Sequence, residues 1–196
     1  MLRREFLIRS SATLAAGTIV LAGCTTTPIG GNDVAAKNEA KRRSIDADVD
    51  ATLARLYGKV NGSREMLARA SGVLVFPRVL SAGFWIGGQY GTGALRVAGR
   101  TLGYYSTVAG SFGLQIGAQS KSIIFAFMTQ QALDAFLNSQ GWSAGADATV
   151  AVVTVGANGN IDTSTAMSPV EAFVLTNAGL MAGVSLEGVK VSRLII

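Results

Sequence analysis

The sequence predicts an α+β domain: N-terminal helices packed on a glycine-rich, antiparallel, barrel-like sheet with one inserted helix. Three observations carry this. Ile45, Val49, Leu53, Leu56, Tyr57 and Val60 recur at three- and four-residue steps, one apolar stripe along a helix. From Gly72 onward, short apolar runs alternate with glycine and turn residues. Glycines 87, 88, 91, 93, 99, 103, 110, 113 and 117 are too dense for a plain sheet and point to strongly bent strands, as in a small closed or nearly closed barrel.

Residues 1–23 read as an export signal. Arg3, Arg4 and Arg9 form a positive start, and Ala12 to Ala22 an apolar stretch. The string Leu21-Ala22-Gly23-Cys24 then puts the only cysteine where a bacterial lipoprotein is cut and acylated. The uncharged run is shorter than the roughly 20 apolar residues of a permanent membrane span. Arg3-Arg4-Glu5-Phe6-Leu7 resembles a twin-arginine export signal, which would mean that the domain folds before crossing the membrane. The alternative is an ordinary Sec lipoprotein signal.

Removing the first 23 of 196 residues leaves 173, enough for one domain with a real core. The signal's Arg3, Arg4, Arg9 and Glu5 account for +2 of the net +5, so the mature chain carries +3. Its lone cysteine is expected to carry lipid, and histidine is absent. That composition excludes Cys-His dyads, Ser-His-Asp triads and the usual zinc sites. No cofactor is implied.

Cys24 to Asp33 reads as a lipidated tether, with Pro28 and two glycines in a small, polar stretch. The nine residues of coil from Thr25 to Asp33 span roughly 17 Å root-mean-square, which keeps the domain near its bilayer. The domain follows over residues 34–196. Asp33 is positioned to cap the first helix. Asn61-Gly62 ends that helix, and Ser63 opens a short second one carrying Met66, Leu67 and Ala70. Val73 to Phe76 is a strand ended by Pro77, which cannot donate to a ladder. Phe112, Leu114 and Ile116 alternate with polar or small residues in a half-buried strand, and Lys121 to Met128 is a strand apolar throughout. Thr129 caps a brief helix with Leu133, Phe136 and Leu137 on one face and Gly141 at its exit. Thr149 to Val155 is a strand leading into the turn dipeptide Asn158-Gly159. Val184 and Leu186 alternate in one phase, Val189 and Val191 in the other, which predicts a β-bulge at Gly188.

The glycines from Gly87 to Gly93 do not have phosphate-loop spacing and read as bends in strands. The basic cluster Lys37, Lys41, Arg42 and Arg43 lies just beyond the tether, where each cation can contribute about 1 kcal/mol on an anionic membrane. A solvated helix face is the competing account. Glu39 and Arg43 form an i,i+4 pair, Arg42 can pair with Asp46, and Asp48 and Asp50 add further negative charge. Five carboxylates lie beyond Gly72 (Asp134, Asp147, Asp162, Glu171 and Glu187), with no spacing that puts two on one short element, so no enzyme is expected. Trp85 and Trp142 border apolar strands and read as core or barrel-rim residues.

Several segments together resemble the SYLF domain, a lipid-binding and actin-regulator module with bacterial lipoprotein members. They are Gly72-Val73-Leu74-Val75-Phe76-Pro77, Ala82-Gly83-Phe84, Ala109 to Gly113, Gly145 to Val152, and above all Gly179-Leu180-Met181-Ala182-Gly183-Val184-Ser185-Leu186-Glu187-Gly188. The resemblance runs from about Val34 to Ile196 and implies a non-catalytic module. It also implies a basic amphipathic N-terminal helix that contacts lipid, which Lys37 to Leu56 resembles, with Asn38 to Arg43 similar to that helix's acidic-then-basic opening.

The reading that follows is a lipid-anchored envelope protein whose domain binds anionic phospholipid head groups through Lys37, Lys41, Arg42 and Arg43. Thr25 after the cysteine, by resemblance to enteric sorting, favours the outer membrane. The alternative is a structural module that recognises an envelope protein or polysaccharide. Nucleic acid is not an expected partner.

Overall fold

The computed structural model describes residues 31–113, 119–155, 160–161, 168–181 and 183–196. The expectations for the export signal, Arg3, Arg4, Cys24, Leu114, Ile116, Asn158-Gly159 and Asp162, and for the Trp85 side chain, fall outside what is described.

The first helix, α1, spans Gly31–Lys59 and α2 spans Ser63–Arg69. Three strands follow: β1 (Gly72–Val97), β2 (Arg100–Gly113) and β3 (Gln119–Phe127). Helix α3 (Gln130–Asn138) is inserted before β4 (Trp142–Ser143), β5 (Val150–Val152), β6 (Val170–Leu175) and β7 (Lys190–Arg193). The seven described strands form one sheet in the order β4-β7-β2-β1-β3-β6-β5. The fold is the expected α+β arrangement of helices on a barrel-like sheet. Its pairs are antiparallel with one exception, since β5 runs parallel to β6.

Burial on both faces explains the continuous apolar strands. On one side Phe76, Phe125, Phe127 and Leu95 pack with Leu133 and Phe136 of α3 and with Trp142. The Trp142 ring meets Phe125, Phe127 and Phe136 edge-on at 5.5, 6.1 and 5.7 Å, the electrostatically favoured arrangement. On the other side Val73, Val75, Ile124, Phe173 and Leu175 pack against Ile45, Val49 and Leu56 of α1 and Met66 and Leu67 of α2. β3 from Ser122 and β6 throughout are therefore buried at every position, and an in-out alternation never arises.

Strand β1 is the main departure from expectation. It does not end at Pro77 but continues through a register shift between Phe76 and Val79 in its pairing with β3. Its first part pairs with β3 and its second, from Trp85, with β2. Gly93 packs so closely on the first part that a Cβ there would lie 1.9 Å from the Val75 carbonyl oxygen. Eighteen residues of straight strand would span about 60 Å, so β1 turns back over itself. Of the dense glycines, Gly91 and Gly93 are close approaches to the first part of β1, and Gly99, at φ +76°, forms a turn. Gly88 and Gly110 have open space beside them, and Gly117 falls outside what is described.

Caps and turns show smaller differences. Asp33 lies in the first turn of α1 rather than ahead of it. Gly62, at φ +80°, occupies the α2 cap position, while the Ser63 hydroxyl donates to the Val60 carbonyl (2.7 Å) and closes α1. Thr129 caps α3 as expected, accepting from the Ala132 N–H at 3.2 Å, but Ser139 and not Gly141 ends that helix. Leu133 and Phe136 are buried there, whereas Leu137 is exposed. Gly188 sits in a turn at φ +77°, not in a bulge, because Val184 to Leu186 do not form a strand.

Candidate functional site

Helix α1 has two halves of different character. From Asp33 to Ser44 every side chain except Asn38 is exposed, and Ile45 is the first buried residue. These twelve residues extend about 18 Å at 1.5 Å each. Alanines 35, 36 and 40, with Lys, Glu and Arg, are strong helix formers, which allows a helix with no buried stripe. All four predicted cations lie on this exposed stretch.

The four differ in their engagement. Lys37 and Lys41 are exposed, with no hydrogen bond or ion pair among the described residues. Arg43 pairs with Glu39 at 3.4 Å as the sequence suggests; both side chains are mostly solvated, so the pair is weak and salt-sensitive. Arg42 does not pair with Asp46. Its Nε donates to the Ile196 carbonyl oxygen at 2.8 Å, and Nη2 donates to the same oxygen.

Asp46 is turned toward the sheet. It accepts from the Thr101 hydroxyl (2.7 Å) and the Tyr104 hydroxyl (2.8 Å), and faces Arg96 at 3.4 Å. Arg96 also donates to Asp50 at 2.8 Å. Two of the three aspartates thus fasten α1 to the β1–β2 hairpin instead of neutralising the basic turns. Asp48 remains exposed.

Beside Arg42 lies a groove of about 350 Å³ lined by Leu102, Tyr104, Arg193 and Ile195, among others. Leu102 and Ile195 are exposed, the latter at 94%, so aliphatic and cationic groups share this rim. Arg193 adds a fifth cation that sequence reasoning missed. It stands about 150 positions from Arg42 in the chain, and only the β2–β7 pairing brings it here.

The carboxylates beyond Gly72 are dispersed. Asp134 accepts from Gln130 on α3, Asp147 accepts from the Ser143 N–H, and Glu187 is exposed. Glu171 is buried in β6, and burial pushes its carboxyl up from the ordinary range despite the opposing charge of Arg69. No hydrogen bond joins any two of these four among the described residues. Among the described residues no helix is long and apolar enough to cross a membrane.

Residues 108–193, from within β2 to the end of β7, match the Ysc84 family, described as Las17-binding protein actin regulator. The matched span includes α3 and the strands that bury Trp142, and it does not extend to α1. No curated protein matches the chain.

Proposed function

We propose that this chain, whose residues 108–193 match the Ysc84 (SYLF-type) family, is a lipid-anchored, non-catalytic envelope protein that binds anionic phospholipid head groups. Acylation at Cys24, after export directed by Arg3 and Arg4, holds it at the outer membrane. The observation that carries this reading is the exposed basic start of α1, placed directly after the tether. Lys37 and Lys41 reach the head groups freely, each contributing about 1 kcal/mol on an anionic surface. Arg42 and Arg43 contribute less, since each already has a partner.

The test is cosedimentation of the chain from Thr25 onward, which keeps every residue of both cores and carries no acyl group. Binding to phosphatidylglycerol vesicles, absent with phosphatidylcholine and weakened by salt, is the expected result. Replacing Lys37, Lys41, Arg42 and Arg43 together by glutamine then reduces both binding and its salt dependence. Equal binding by this variant removes the cluster from the mechanism.

One observation favours the alternative of a protein or polysaccharide partner. Tyr90 and Val108 are direct cross-strand neighbours on β1 and β2, and each is 53% exposed. A single dominant protein adduct on crosslinking in native membranes supports that reading.

A further inference from the structure

The strand shift at Pro77 opens a pocket of about 350 Å³ between α1, β1, β3 and the segment after β6. Three cations from three of these elements line it: Arg55 of α1, Arg78 of β1 and Lys121 of β3. None forms an ion pair among the described residues, and Asp48 is the one carboxylate in the lining.

The walls are fixed by hydrogen bonds. Arg55 Nη2 donates to the Ser122 hydroxyl, which donates in turn to the Pro77 carbonyl oxygen at 2.6 Å. This chain satisfies a carbonyl left over by the shifted ladder and holds the guanidinium against β3. The Nε of Arg55 is buried with no acceptor among the described residues. Ser120 and Thr176 add hydroxyls to the lining. Lys121 is partly buried, and that burial lowers its ammonium below the ordinary lysine value. Three cations around the single carboxylate of Asp48 leave an excess of positive charge, and an anion seated among them offsets that repulsion. Two guanidinium groups, an ammonium and hydroxyls make up the donor set that suits phosphate oxygens.

We infer that this pocket is a phosphate-binding site separate from the basic start of α1. Arg55 lies thirteen residues beyond Arg42, about 20 Å along the helix, so the two regions do not share a ligand group. The inference does not depend on membrane binding by Lys37 and its neighbours.

Calorimetric titration of the chain from Thr25 onward with inorganic phosphate, then with glycerol phosphate, tests it, beside cosedimentation with phosphatidylglycerol vesicles. The variant is Arg78→Gln with Lys121→Gln; Arg78 is exposed, neither residue belongs to a core, and unchanged thermal unfolding confirms the fold. Lys37→Gln with Lys41→Gln is the control. Saturable binding of either soluble phosphate, weakened about tenfold or more by the first variant and not by the control, supports a soluble ligand. Vesicle binding weakened by the first variant, with no soluble phosphate bound, supports a lipid-borne one. If neither binding changes in the Arg78/Lys121 variant, the inference is overturned.

Discussion

The Tyr104 hydroxyl donates a 2.8 Å hydrogen bond to Asp46 and thereby ties the first helix to the second strand. Burial, followed by the hydrogen bond and the negative charge of Asp46, pushes the Tyr104 phenol up to about 12. A phenol raised in the folded state stabilises it fully below the ordinary value of about 10, and that contribution is lost as pH rises toward 12. Tyr104→Phe is expected to cost about 1 kcal/mol at pH 7, with the deficit relative to wild type shrinking between pH 10 and 12. Urea unfolding at pH 7 and across that window checks both; a deficit that is constant with pH contradicts the linkage.

Gly93 predicts a sharp intolerance. A methyl group there meets the Val75 carbonyl at 1.9 Å and the Phe76 ring at 2.8 Å, and neither the backbone nor the buried ring can give way. Gly93→Ala is expected to destabilise by about 3 kcal/mol or more. Gly88 has nothing within 4 Å of its added Cβ, so Gly88→Ala serves as the mild control. Comparable melting temperatures for the two variants contradict the doubled-back path of β1.

The two-residue turn joining β1 to β2 is Ala98-Gly99, with φ of +48° and +76°. Left-handed backbone at both positions is the geometry of a type I′ hairpin, which favours Asn first and Gly second. Alanine gives no local hydrogen bond to offset the crowding of its Cβ. Ala98→Asn is expected to stabilise by about 0.5–1 kcal/mol, measured as a rise in denaturation midpoint at unchanged slope.

Glu171 is 1% exposed, and its Oε2 has no hydrogen-bond partner among the described residues. Its raised folded-state pKa means that its contribution is most favourable below the ordinary carboxyl range and falls as pH rises through the folded value. Glu171→Gln, uncharged and nearly the same size, is expected to be more stable than wild type at pH 7, by about 1–3 kcal/mol. At pH 4 the gain is expected to be smaller; equal gains at both values exclude a buried charge as the cause.

Much of this architecture is legible where one local rule decides. The Thr129 cap, the core position of Trp142 and the apolar run of β3 follow from residue type and short-range pattern. The misreadings arise where distant partners decide. Pro77 reads as a strand end, yet the Ser122 hydroxyl serves the carbonyl that the shifted ladder leaves open. Arg42 and Asp46 read as partners along one helix, yet each finds a stronger one far away in sequence, at Ile196 and at Thr101 with Tyr104. The basic cluster is visible as composition. Its inequality, with two lysines that have no partner among the described residues and two engaged arginines, is not.

The strand order also determines which sequences neighbouring molecules can reach. Ser122–Phe127 (SIIFAF) and Val170–Leu175 (VEAFVL) have the apolar, β-prone make-up that drives intermolecular stacking. Both lie inside the described sheet, while its outermost strands, β4 and β5, are two and three residues long. Rims this short give another chain little to pair with. Protection against aggregation therefore rests on the folded state, and a variant that frees β6 should aggregate before it loses its helices.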